Sequence, residues 1–149
     1  MHLAVGSDHA GLSLKRALVE ALVAAGHSVD DVGTHSSASC DYPDFAVAVA
    51  RKVSSGEVER GLLVCGSGLG MSIAANKVPG VRAVAVSDTF SAHASREHND
   101  ANVLCLGGRV VGPGLARDIL EVWLRASFEG GRHAGRVAKI NALDAGSSS

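Results

Sequence analysis

Leu62-Leu63-Val64-Cys65-Gly66-Ser67-Gly68-Leu69-Gly70 is the stretch on which the fold turns. Four consecutive apolar residues without alternation read as a strand buried on both faces, as in parallel sheets. The run empties into three glycines at alternate positions and then into residues 71–77, which read as a short helix. A strand that turns into a helix in this way is half of a βαβ unit, and such units build parallel sheets.

The same alternation continues in both directions. Upstream, residues 3–5 read as a strand, followed by the loop Gly6-Ser7-Asp8-His9-Ala10-Gly11. Leu14, Ala17, Leu18, Ala21, Leu22 and Ala25 then recur at helical spacing, and Gly26 stands where a helix stop belongs. Residues 29–32 are a second strand before a polar loop, 33–43. Asp44 is read as the N-cap of a helix over 45–53 that ends at Gly56. Downstream, Pro79-Gly80 is a turn, 81–86 a fourth strand, 89–98 a helix and 103–106 a fifth strand. A helix around 115–124 and a further one over 132–143 complete the pattern. The expectation is an α/β protein, a three-layer αβα sandwich around a five-stranded parallel Rossmann-like sheet. One domain, residues 1–145, includes the C-terminal helical extension. Residues 146–149 are read as a flexible tail, with fraying expected from Ala145.

The chain has 149 residues, 46% of them hydrophobic and 19% charged, with a net charge of -1. That balance is too apolar for a disordered chain and too neutral for a nucleic-acid surface. Aromatic residues make up 3%, so a base-stacking platform is not expected. Cys40, Cys65 and Cys105 form no C-x-x-C pair and suggest no disulfide framework, which points to a reducing cytoplasm. The N-terminus has no signal-like pattern. Glycine or charge interrupts every apolar run before the ~20 residues of a membrane span.

In open parallel sheets, ligands sit beyond the carboxyl ends of the strands. That rule selects the loops at 6–11, 66–70, 87–88 and 107–109. In the second of them, successive amides suit a negative charge, while the G-x-G-x-G spacing meets neither the dinucleotide nor the P-loop pattern. Cys65 ends the strand that feeds this loop. Amides and a helix start would favour its thiolate, the form that acts as a base. A cysteine closing a Leu-Leu-Val run is equally well a small buried hydrophobe, and position alone does not choose. Cys105 reads as core, and Cys40 as a loop residue that need not serve the site.

Asp8 could orient hydroxyls or cap the next helix, and His9 could bind phosphate or hydroxyl. His98 suits proton transfer near neutral pH, or simply the helix C-terminus at which it sits. Arg132 and Arg136 share a helix face, with Lys139 nearby. Spacing alone makes them a solvated face, whereas Arg109 at a strand end is better placed for an anion. No metal-ligand spacing is present, and neither metal nor cofactor is expected.

Taken in order, these segments resemble a known family. They are Gly6-Ser7-Asp8-His9-Ala10-Gly11, Asp41-Tyr42-Pro43, Cys65-Gly66-Ser67-Gly68-Leu69-Gly70 and Ile73-Ala74-Ala75-Asn76-Lys77. Arg96-Glu97-His98-Asn99-Asp100, Gly107-Gly108-Arg109-Val110-Val111-Gly112 and Glu129-Gly130-Gly131-Arg132-His133 follow them. The chain resembles ribose-5-phosphate isomerase type B, which is related to galactose-6-phosphate isomerase subunits.

The resemblance implies a metal-free aldose–ketose isomerase acting through a cis-enediolate. It assigns the base to Cys65 and ring opening to His98, with Ser67 as a hydroxyl-proton shuttle. Gly66, Ser67, Gly68, Leu69 and Gly70 would stabilise the enediolate oxygen. Asp8 and Asn99 would hold sugar hydroxyls, and His9, Arg109, Arg132 and Arg136 would contact substrate and phosphate. It further implies a homodimer or dimer of dimers with sites shared between chains, and neither nucleic-acid nor membrane partners. Other readings are an isomerase of erythrulose 4-phosphate, allose 6-phosphate or galactose 6-phosphate, or a non-catalytic sugar-phosphate-binding subunit.

Overall fold

The computed structural model describes residues 1–146. Five parallel strands, β1 (His2–Ser7), β2 (Ser28–Gly33), β3 (Arg60–Cys65), β4 (Ala83–Ala85) and β5 (Val103–Gly107), form one sheet in the order β2-β1-β3-β5-β4. Six helices accompany them: α1 (Leu12–Ala24), α2 (Tyr42–Ser54), α3 (Leu69–Ala75), α4 (Thr89–Asn99), α5 (Pro113–Arg125) and α6 (Arg132–Gly146). The Rossmann-like αβα sandwich expected from the alternation is the fold observed.

The strands explain the layering. Because side chains alternate across a strand, Leu62 and Val64 face one side of β3 while Leu63 and Cys65 face the other. Leu62 and Val64 join Leu3, Val5, Leu104 and Leu106 beneath Leu18 of α1, Ala92 of α4, and Ile119 and Trp123 of α5. Leu63 and Cys65 join Ala4, Val103 and Cys105 beneath Val49 of α2 and Met71 of α3. Both faces of the central strands are dry, which is why those runs read as continuously apolar. Each fully buried Leu, Val or Ile contributes about 1.5–3 kcal/mol.

Several boundaries differ from the sequence reading. The helix placed over 45–53 begins at Tyr42, so Asp44 lies in its first turn; Asp41 is the flanking residue and makes no side-chain cap. Pro43 explains the shift, since its fixed φ and missing N–H suit a first helical turn. Strand β4 is three residues long rather than six, because it is an edge strand paired with β5 alone, from Ala83 opposite Val103 to Ala85 opposite Cys105. At the C-terminus, α6 continues through Ala145 and Gly146. The rest of the expected tail, 147–149, lies outside the described residues.

Topology positions the site. From β1 the chain passes outward to β2 on one side, then returns to β3 on the other, so connections diverge between β1 and β3. That divergence opens a crevice at the carboxyl ends of the two strands. Ser7 pairs with Val64 there, and Cys65 with Gly107 of β5. The loops after β1, β3 and β5 therefore begin side by side.

Candidate active site

The three loops enclose a cleft of about 530 Å³, within the range of small-molecule sites. Asp8 and His9 reach it from β1, Cys65, Ser67 and Gly70 from β3, and Arg109 from the β5 loop. Close backbone approach holds the loops together. A Cβ on Gly11 would lie 2.3 Å from the Val64 carbonyl oxygen, and one on Gly107 would lie 2.7 Å from the Ser67 carbonyl. Both glycines are required by space. Gly68 is required by conformation as well, with φ at +81°.

Cys65 is 4% exposed, and the loop folds back over it so that the Gly68 N–H donates to its Sγ at 3.1 Å. A backbone donor aimed at sulfur bonds more strongly to a thiolate than to a thiol. The helix that follows the loop, α3, is seven residues long. The Leu69 amide donates to Ser67 Oγ at 3.3 Å. Among the described residues the amides of Gly66, Ser67 and Gly70 have no acceptor, which narrows the expected five-residue cradle to donors still available to a ligand. Cys105 is 1% exposed; burial, and secondarily the neighbouring Cys65, push its thiol up. It remains a neutral core residue.

Asp8 is buried, and its Oδ1 accepts the Gly11 N–H at 3.0 Å. Its Oδ2 has no partner among the described residues. The carboxylate thus braces the loop and keeps one acceptor for a hydroxyl. His9 Nδ1 accepts the Cys40 amide at 3.2 Å, so the neutral ring carries its proton on Nε2 as a donor. Cys40 thereby supports the site through its backbone. Its loop is anchored by Lys15, a fully buried ammonium that donates to Asp31 at 2.6 Å and to the Thr34 carbonyl at 2.7 Å.

Two contributors carried no assigned role in the sequence. Tyr42, at the start of α2, lines the cleft. Its ring lies where a Cβ on Gly70 would sit, 2.5 Å from that position. His133 is 6% exposed and stacks on His98, with ring centroids 4.3 Å apart and planes 14° apart. Both lie in segments that carried the family resemblance, while neither periodicity nor spacing marked them.

His98, Asn99, Arg132 and Arg136 do not line the cleft of their own chain. His98 and Asn99 end α4, and the two arginines are exposed on α6, which packs against α4. The Glu129 amide ties the segment before α6 to the Glu97 carbonyl at 3.0 Å. One chain thus holds two polar clusters: the cleft around Cys65, and a histidine and arginine surface on α4 and α6. A separate groove of about 410 Å³ between α1 and α5 is floored by Leu22, Leu120 and Leu124 and reaches none of these groups.

Known proteins share this fold over nearly the whole chain. A family model described as Ribose/Galactose Isomerase matches residues 3–140. "Ribose-5-phosphate isomerase B" of Escherichia coli is 52% identical over 142 residues, 95% of each chain. "D-erythrulose-4-phosphate isomerase" of Pectobacterium atrosepticum is 43% identical over 94% of this chain and 93% of its own. The solved structure of ribose-5-phosphate isomerase B from Clostridium thermocellum superposes with a TM-score of 0.98 at 54% identity, covering 99% of this chain and 100% of the other. No helix among the described residues is long and apolar enough to cross a membrane.

Proposed function

The chain belongs to the ribose/galactose isomerase family, and on that premise we propose that it interconverts D-ribose 5-phosphate and D-ribulose 5-phosphate through a cis-enediolate with Cys65 as base. The observation that carries this reading is the Gly68 N–H on Cys65 Sγ at 3.1 Å, in a cleft shared with Asp8, His9 and Arg109. It is a sulfur base held by a backbone donor beside hydroxyl and anion ligands.

The chemistry closes without a redox partner. The Cys65 thiolate takes the C2 proton of the open-chain aldose, and the electron pair left behind forms the C1–C2 double bond as O1 becomes an oxyanion. The Ser67 and Gly70 amides face that charge, where fixed donors act most strongly. Ser67 Oγ passes the O2 proton to O1, and the Cys65 thiol returns its proton to C1. One carbon is oxidised and its neighbour reduced within the same molecule, so neither cofactor nor metal is called for. Asp8 accepts a sugar hydroxyl, while His9 Nε2–H and Arg109 meet the anionic end.

Ring opening needs an acid at the ring oxygen, and His98 suits it. His98, Asn99, Arg132 and Arg136 stand outside their own chain's cleft, so we assign them to the cleft of a second copy, in a homodimer or dimer of dimers. Leu69 and Ile73 on α3, Phe90 on α4 and Val110 beside Arg109 are 58–80% exposed. They give such a partner an apolar surface to cover next to the cleft. Three free cysteines suit a reducing cytoplasm.

Erythrulose 4-phosphate is the second reading, motivated by the Pectobacterium relative. Turnover of D-ribose 5-phosphate beside D-erythrulose 4-phosphate, without added metal, decides between them. Preference for the tetrulose would keep the mechanism and change the substrate. His98→Ala should abolish turnover of the cyclic pentose yet retain it for a four-carbon aldose phosphate, whose phosphorylated terminal oxygen cannot close a ring. Equal losses on both would remove His98 from ring opening.

A further inference from the structure

His98, Glu129 and His133 bring two imidazole nitrogens and a carboxylate oxygen within 4.8 Å of one another. No short motif announces them, because His98 ends α4 whereas Glu129 and His133 flank the start of α6. His133 is more than nine-tenths buried, and its Nε2 has no hydrogen-bond partner. Glu129 Oε2 lies 3.4 Å from that nitrogen, at ion-pair distance but not aligned as a hydrogen bond. A buried, unpartnered ring nitrogen is costly. Here it faces a carboxylate, with a second imidazole stacked beside it.

We propose that His98, Glu129 and His133 form a binding site for a divalent first-row transition ion, with zinc, nickel and copper favoured over magnesium and calcium. Two imidazoles and one carboxylate are the donor set those ions prefer, whereas magnesium and calcium favour all-oxygen shells. Three protein ligands leave a fourth position for water. Bonds of about 2.0–2.1 Å at tetrahedral angles put neighbouring ligand atoms roughly 3.4 Å apart. The three groups therefore close by an ångström or so. Glu129 Oε2 and His133 Nε2 already stand 3.4 Å apart, so the movement falls on His98, whose half-buried ring turns out of its stack on His133 to bring its in-plane lone pair onto the ion.

Occupation takes the His98 lone pair and so blocks protonation of a sugar ring oxygen. The site is inhibitory, and turnover of a substrate that needs no ring opening is spared. This effect on turnover rests on the ring-opening role proposed for His98; binding of the ion does not.

Titration of the full-length protein with cobalt(II), read by visible absorption, tests the binding. Glu129→Gln, His133→Asn and Cys65→Ser serve as variants. Wild type and Cys65→Ser are expected to bind with equal affinity and without a thiolate-to-metal band. Glu129→Gln and His133→Asn should each weaken binding by at least the roughly 10–100-fold that loss of a supporting partner costs. Glu129 is a surface residue, so its variant keeps the test sound if the buried His133→Asn folds poorly. Unchanged affinity in Glu129→Gln, or a thiolate band lost with Cys65→Ser, overturns the proposal. Zinc should then suppress D-ribose 5-phosphate turnover in wild type, with a smaller ratio of metal-free to metal-bound rate in Glu129→Gln. Binding that is weakened by Glu129→Gln, His133→Asn and also His98→Ala, while ribose turnover of the metal-loaded wild type is undiminished, keeps the metal site and refutes ring opening by His98.

Discussion

Replacing Cys65 by alanine and by serine separates what its sulfur does for the fold from what it does for the reaction. The side chain is 4% exposed and accepts the Gly68 N–H. Alanine removes the acceptor and leaves a buried donor unpaired, which costs about 1–3 kcal/mol. The sulfur-sized void adds a little more, so a loss near 2 kcal/mol is expected. In a chain of this size that lowers Tm by roughly 4–8 °C. Serine keeps an acceptor on a shorter bond and should lose less than about 1 kcal/mol. Turnover orders the variants differently, since a hydroxyl does not ionise as a thiol does. Both should lose a general base's share of the rate, about 10²–10⁴-fold. Thermal unfolding at matched protein concentration, beside turnover of D-ribose 5-phosphate, reads the two scales separately. A serine variant within about tenfold of wild-type turnover would exclude the thiolate as base. A serine variant as unstable as alanine would show that the Gly68 contact does not stabilise the loop.

Gly107→Ala would drive a Cβ to 2.7 Å from the Ser67 backbone, so it should lose about 1–3 kcal/mol and much of its turnover. Gly112→Ala, with nothing within 4 Å, should keep its turnover and lose no more than the roughly 1 kcal/mol of a weakened α5 N-cap. Equal effects of the two variants on turnover and chemical denaturation would defeat the packing argument. Lys15→Met strands the Asp31 carboxylate and the Thr34 carbonyl. A loss of about 2–3 kcal/mol is expected, below the roughly 3–5 of a fully buried pair because Asp31 reaches solvent; urea unfolding measures it. Asp88 caps α4 by accepting the Ser91 amide at 2.7 Å, and that bond holds its carboxyl below the ordinary aspartate value of 3.8. A lowered folded pKa means stability present above 3.8 and lost as the pH falls through the folded value. Asp88→Asn, which still caps, should flatten the Tm profile in that acid window and leave neutral pH nearly unaffected.

Much of the molecule was legible as a string of residues because the governing physics is local. An unbroken apolar run such as 62–65 cannot alternate, so it demands cover on both faces, and the glycines after it allow the chain to turn tightly. Strand count, helix order and the loops that meet at the cleft all follow from such patterns. Cys65, Asp8, His9 and Arg109 were found because the carboxyl-end rule converts position in a strand–helix alternation into position at a site. Boundaries were less legible where two local preferences compete, as at Asp44, where Pro43 starts the helix earlier than the acidic residue suggests.

Tertiary structure decided what depends on residues distant in the chain. Strand order set Cys65 beside Asp8 and Gly107, since pairing between strands is a long-range choice that no single strand encodes. Burial of Lys15 against Asp31 and Thr34 could not be read from the pattern of α1, because an ammonium is tolerated inside only when remote acceptors meet it. His133 gained its meaning only from α6 folding back onto α4. At Cys65, where position leaves core hydrophobe and base equally open, tertiary structure adds one contact, the Gly68 N–H on Sγ. It is short because the Gly66–Gly70 turn carries the Gly68 amide back over the strand that ends in Cys65.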